Sequence, residues 1–163
     1  MKRILIYDTK YGSAAEVANR IKTELGEETQ LCNIMTSSVP SIDAYDTVII
    51  GGSIYMQRVQ KQITEYCNGH LSELLNKNVG LFLCAGEQKE DEQKKYLQMN
   101  FPEALYQHAT AKGVLGYAFS FEKMKFLDKM IMKKIKGDSI SVAEYSDEKI
   151  ASFTQALKNA ENI

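Results

Sequence analysis

The 163-residue chain is short of the side chains that build metal centres and disulfide frameworks. It has three cysteines, Cys32, Cys67 and Cys84, and two histidines, His70 and His108. No two cysteines form a C-x-x-C pair, and neither histidine stands at ligand spacing from the other or from a cysteine. An odd, unpaired set argues for a reducing cytosol, with each thiol a small buried hydrophobe, and against a zinc site or dithiol chemistry. An excess of one charge is missing too. Twenty basic and 21 acidic residues leave a formal net charge of −1, with no global pull toward nucleic acid or an anionic membrane. No apolar run approaches the ~20 residues of a membrane span. Met1-Lys2-Arg3 leads directly into a strand pattern, so a secretory leader is not expected. Internal repeats and low-complexity tracts are absent, as are G-x-G-x-x-G and G-x-x-x-x-G-K-[ST], which sets aside a dinucleotide fold and a P-loop.

What remains is a composition with 44% hydrophobic and 25% charged residues, ordinary for a soluble globular protein. The length suits one domain over 1–163, able to bury about two thirds of its unfolded surface. Strand and helix patterns alternate along it. Arg3-Ile4-Leu5-Ile6-Tyr7, Thr29 to Asn33, Thr47 to Ile50, Val79 to Cys84 and Lys112 to Phe119 read as five strands, the apolar ones suited to burial on both faces. Between them, Ala14, Val17, Ala18, Ile21 and Leu25 recur at helical spacing. Val59, Ile63, Tyr66 and Cys67 mark a second helix, interrupted near Asn68-Gly69 and resumed through Leu71, Leu74 and Leu75. A charged segment from Glu87 leads into Tyr96, Leu97 and Phe101 and is broken by Pro102. Helical patterns over 122–136 and 147–160 close the chain, the latter capped by Ser146 with an acidic first turn. Strict alternation predicts an α/β three-layer sandwich with a five-stranded parallel sheet in the order 2-1-3-4-5. Ligands of such sheets lie beyond the carboxyl ends of the strands.

Three loops fall on that edge. In the first, Asp8-Thr9-Lys10-Tyr11-Gly12-Ser13-Ala14, two hydroxyls, a glycine and a helix N-terminus can surround an anion with backbone and hydroxyl donors. A connection capped by Ser13 with no ligand is the simpler alternative. In the second, Gly51 to Arg58, Tyr55 and Met56 could wall a planar ring or merely cover the next helix. The third, Cys84-Ala85-Gly86-Glu87-Gln88, again has small residues where backbone could approach a ligand. A receiver domain would share the strand order, but it needs a phosphoacceptor aspartate at the end of strand 3, where Gly51-Gly52-Ser53 stands.

The stretch Ile-Tyr-Asp-Thr-Lys-Tyr-Gly-Ser-Ala-Ala-Glu-Val-Ala resembles the FMN phosphate loop of flavodoxins. Nearly the whole chain is similar to flavodoxin-type, menaquinone-dependent protoporphyrinogen dehydrogenases. Val48 to Tyr55, V-I-I-G-G-S-I-Y, resembles the ring-side stretch of that branch, and Phe126 to Lys133 with Tyr145-Ser146-Asp147 resembles its C-terminal segment. The resemblance implies FMN as cofactor, with Thr9, Lys10, Tyr11, Gly12, Ser13 and Ala14 at its phosphate. Ser53, Ile54, Tyr55 and Met56 would flank one side of the ring, and Cys84, Ala85, Gly86, Glu87 and Gln88 the other. Two residues depart from the pattern. Ala14 lacks the hydroxyl usual there, and the Asp8 carboxylate would oppose a phosphate dianion unless it turns away. The segment after strand 4 is also shorter and more acidic than in the dehydrogenases.

No pair of titratable groups stands out as catalytic acid and base, which suits redox chemistry supplied by a flavin. The partners this implies are a quinone or a redox protein. Residues 122–136, EKMKFLDKMIMKKIK, carry six lysines beside an apolar stripe of Met124, Leu127, Ile131 and Ile135. That helix is expected to pack on the sheet, or else to rest on an anionic membrane from the cytoplasmic side.

Overall fold

A computed structural model describes residues 1–8, 12–119 and 142–162. Its strands are β1 (Arg3–Asp8), β2 (Thr29–Asn33), β3 (Thr47–Ser53), β4 (Asn78–Cys84), β5 (Ala111–Phe119) and β6 (Val142–Tyr145). The helices are α1 (Ser13–Leu25), α2 (Lys61–Gly69), α3 (Leu71–Leu74), α4 (Glu90–Asn100), α5 (Glu103–His108) and α6 (Asp147–Glu161). The sheet runs β2-β1-β3-β4-β5-β6. The first five strands are parallel in the expected order, and β6 joins antiparallel to β5.

The sixth strand corrects the five-stranded expectation. β5 continues past the end of β4, and Gly116 to Phe119 pair with Tyr145 to Val142. Ladder groups that outrun their neighbour need another partner. A four-residue strand between two helical patterns carries almost no period of its own. The basic segment 122–136 lies outside the described residues. Among those described, no helix is long and apolar enough to cross a membrane.

Period-two alternation sends each strand's side chains into two cores. Ile4, Ile6, Val48, Ile50, Val79, Leu81 and Leu83 pack under α2 to α5, with Ile63, Cys67, Leu74, Leu97 and Leu105. Leu5, Ile49, Phe82 and Cys84 pack under α1 and α6, with Ala14, Val17, Ala18, Ile21, Ile150, Phe153 and Leu157. Phe82 is fully buried and meets Phe153 edge to face at 6.3 Å. Gly51, which the sequence pattern placed as a strand terminator, is a member of β3. A Cβ there would stand 2.2 Å from the Phe82 ring, so glycine makes room for the core's largest side chain. All three cysteines are free and buried, as their lack of pairing suggests.

The helix boundaries follow local chemistry. The Ser146 hydroxyl accepts the Lys149 N–H at 3.2 Å and caps α6, whose first turn carries Asp147 and Glu148. Pro102 separates α4 from α5.

Candidate functional site at the carboxyl edge of the sheet

The sheet brings the exits of β1, β3 and β4 side by side. Ser53 and Cys84 are register partners in the β3–β4 pair, and both continue the face covered by α1. The Ser13 hydroxyl, at the start of α1, lies 2.6 Å from the Ser53 hydroxyl, with both residues buried. Cys84 is within hydrogen-bonding reach of Ser13 as well. One residue from each predicted loop therefore meets in a single cluster. Burial pushes the Cys84 thiol up to about 12, only partly offset by the Ser13 hydrogen bond, so it is a neutral group at physiological pH and no nucleophile.

Gly12 precedes α1 in the left-handed region, with φ 96° and ψ −9°, and among the described residues nothing lies within 4 Å on its Cβ side. It brings no side chain to cap the helix. The first N–H groups of a helix lack intrahelical acceptors, and this end of α1 carries the positive end of the helix dipole. Ala14 is fully buried in the α1-side core, which leaves its backbone N–H as the polar group it can offer. Asp8 is fully buried and continues the face of Ile4 and Ile6, the face turned away from α1. Thr9, Lys10 and Tyr11 lie outside the described residues.

The β3 exit is a tight turn. Tyr55 and Arg58 exchange two backbone hydrogen bonds of 2.9 and 3.1 Å, and the residues between them, Met56 and Gln57, have φ of 53° and 66°. Two positive φ values in a two-residue loop are the signature of a type I′ turn. Ile54 donates its N–H to the Cys84 carbonyl at 2.8 Å, tying this exit to that of β4. Met56 is 59% exposed beside half-buried Tyr55, a thioether and a phenol at the lip of the site. At the β4 exit Cys84 and Ala85 are buried, Gly86 and Gln88 are exposed, and the Tyr117 ring covers the Cβ side of Gly86. A cleft of about 490 Å³ opens beside this loop, with Glu87, Gln88, Tyr117, Tyr145 and Lys149 among its walls.

Sequence reasoning passed over the carboxamides that hold these loops. Gln60 accepts the Ser53 N–H at 3.1 Å. Asn100 accepts the Val59 N–H at 2.9 Å and donates to the Gln57 carbonyl at 3.1 Å. Gln93 donates to the Glu87 carbonyl at 2.7 Å. Gln93 and Asn100 are seven residues apart in a segment that reads as charged, and that inward i, i+7 spacing was the available signal.

Comparison with known proteins agrees with this geometry. Over 171 aligned positions the chain is 25% identical to protoporphyrinogen IX dehydrogenase [quinone] of Escherichia coli K12, covering 96% of this chain and 94% of the relative. Its fold matches a Fusobacterium nucleatum flavodoxin variant bound to flavin mononucleotide, with a TM-score of 0.51, 14% identity, and coverage of 98% of this chain and 97% of that one. It also matches rubredoxin oxygen:oxidoreductase from Desulfovibrio gigas, with a TM-score of 0.56 and 16% identity, across 99% of this chain but only 37% of that protein. The flavodoxin domain model covers residues 4–145, and this chain belongs to the flavodoxin family.

Proposed function

We propose that the chain binds FMN at the carboxyl edge of its sheet and acts as a quinone-linked oxidoreductase of the protoporphyrinogen dehydrogenase type. The observation that carries the reading is the convergence of three loop exits on the Ser13–Ser53–Cys84 cluster at the N-terminus of α1. FMN is the cofactor that the family supports, and the residues present suit it. The N-terminus of α1, with its backbone donors and Gly12 in the left-handed region, suits a phosphate. Thr9 to Ala14 would hold that group. The β3 exit, Ser53 to Met56, and the β4 exit, Cys84 to Gln88, would hold the ring. When bound, FMN supplies the capacity to accept and pass on one or two electrons.

The protein's own part is to bind, orient and tune. Hydroxyls and backbone amides dominate the cluster, and the neutral Cys84 thiol adds no charge to it. The kinship with a quinone-linked dehydrogenase supports a small-molecule substrate and a quinone acceptor, and the cleft beside the β4 exit provides space next to the ring loops. A second reading, an electron carrier between proteins, is favoured by Glu90, Asp91 and Glu92 in the first turn of α4, beside the β4 exit. Such a face would steer a basic partner. Anaerobic mixing of the FMN-loaded chain with protoporphyrinogen and a menaquinone analogue separates the two. Substrate oxidation coupled to quinone reduction supports the dehydrogenase; inertness toward the porphyrinogen, with electron exchange to a redox protein, supports the carrier.

A further inference from the structure

The β3 exit adopts a backbone that its sequence disfavours. Met56 and Gln57 both have positive φ, where asparagine and glycine are the residues of low cost. Such conformations persist only where the surroundings over-determine them, and they gather at functional sites. Here the surroundings are α4. Asn100, only 5% exposed, grips both sides of the turn, accepting from the Val59 N–H and donating to the Gln57 carbonyl. Its amide also donates to the Tyr96 carbonyl at 2.9 Å, which locks the side chain to its own helix. Two turns earlier on the same face, Gln93 reaches the Glu87 carbonyl of the β4 exit, while the Lys149 ammonium donates to its other end at 3.0 Å. Leu97, buried between the two amides, seats the helix on the sheet.

We propose that Asn100 and Gln93 are positioning residues through which one rigid helix sets the separation of the two loops that flank the flavin ring. The inference rests on the FMN reading. Neither residue needs to touch the cofactor; each acts through the carbonyl it holds, and Asn100 keeps an unfavourable turn in place. A purely structural role would cost stability when the amides are lost and leave the ring's environment alone.

The test uses the full chain and three variants, N100D, Q57G and their combination. N100D keeps an acceptor for the Val59 N–H and, ionised, loses the donors to the Gln57 and Tyr96 carbonyls, while Q57G places glycine at the strained position without removing the carbonyl. FMN and riboflavin are titrated by fluorescence, the visible band and midpoint potential of the bound flavin are recorded, and amide exchange is followed in the cofactor-free chain. N100D should weaken both flavins alike, roughly 5-fold or more for two lost buried hydrogen bonds. It should also shift the visible band and speed exchange at Arg58, whose N–H closes the turn. Q57G alone should stay within about twofold of the parent chain, and in the N100D background it should recover part of the loss because glycine removes the strain at the turn. An N100D chain that melts earlier yet keeps affinity, band and exchange unchanged would overturn the proposal, as would a loss that Q57G fails to recover. A parent chain that takes up neither flavin would instead overturn the FMN reading, and this inference with it.

Discussion

The two ends of the sheet are built from different chemistry. At the amino edge, Arg3 and Glu161 form an ion pair at 2.9 Å, with side chains only 13% and 3% exposed. Thr47 donates to the same carboxylate at 2.7 Å, Asn78 donates to Thr47, and Thr110 donates to Asn78. This network stitches β1, β3, β4, the approach to β5 and the end of α6. At the carboxyl edge, the described side chains that join the loops are mostly neutral, Ser13, Ser53, Cys84, Gln60, Gln93 and Asn100, with the Lys149 ammonium on Gln93. One edge is closed by an ion pair, while the other is joined chiefly by hydroxyls and carboxamides. The first edge is built for stability and the second is where we propose the cofactor is recognised, the usual division in a parallel sheet with ligands at its carboxyl ends.

Breaking the closed edge should have the largest effect. Glu161→Ala leaves the buried Arg3 guanidinium without its counter-charge and should cost about 3 kcal/mol or more, lowering the melting temperature by roughly 6–12 °C for a chain of this size. Flavin affinity of the molecules that remain folded should stay the same. Calorimetry with a parallel FMN titration checks both halves, and a large loss of affinity would mean the edges are not separable.

Alkaline pH provides a second contrast, centred on two thiols. Burial pushes Cys67 and Cys84 up to about 12 from an ordinary 9.0. The unfolded chain therefore releases these protons at lower pH than the folded one. Their contribution is fully present below about pH 9 and is lost as pH rises toward 12. Urea midpoints should fall between pH 8 and about pH 10.5, and a Cys67→Ala/Cys84→Ala chain should show a shallower fall. Equal slopes would refute the thiol assignment.

The smallest effect sharpens the open edge. Ser53→Ala removes one neutral hydrogen bond, worth about 1 kcal/mol, and Ser13→Ala removes that bond together with the weaker one to the Cys84 thiol. Because the two hydroxyls serve each other, the double variant should be little worse than Ser13→Ala alone. If the Ser13 hydroxyl serves Ser53 and not a phosphate, FMN and riboflavin affinities should drop by the same factor. A loss confined to FMN would assign the Ser13 hydroxyl to the phosphate.

Much of this was legible in the chain itself. The buried runs of β1, β3 and β4 and the Ala14–Leu25 stripe declare their period directly, and the alternation then dictates the order of five strands. The three exits were legible because the topology rule names the edge before any side chain is considered. Less visible were features set by tertiary contact. β6 is four residues long and exists because β5 overruns β4. Gly51 and Gly52 look like a turn but serve close packing: a Cβ on Gly52 would meet the Val59 methyl at 2.6 Å and the Gln60 carboxamide at 2.7 Å. Ala14, which lacks the hydroxyl usual in the family, packs into the α1-side core. The carboxylate of Asp8 raised the concern of repulsion, yet strand parity turns it to the opposite face from α1.

Cofactor uptake tests the central claim most directly. The purified chain, freed of any ligand and titrated with FMN, should bind one equivalent, quench its fluorescence and develop the structured visible band of a flavin held in a protein. A chain that leaves FMN fluorescence and absorbance unchanged through saturating concentrations would contradict it.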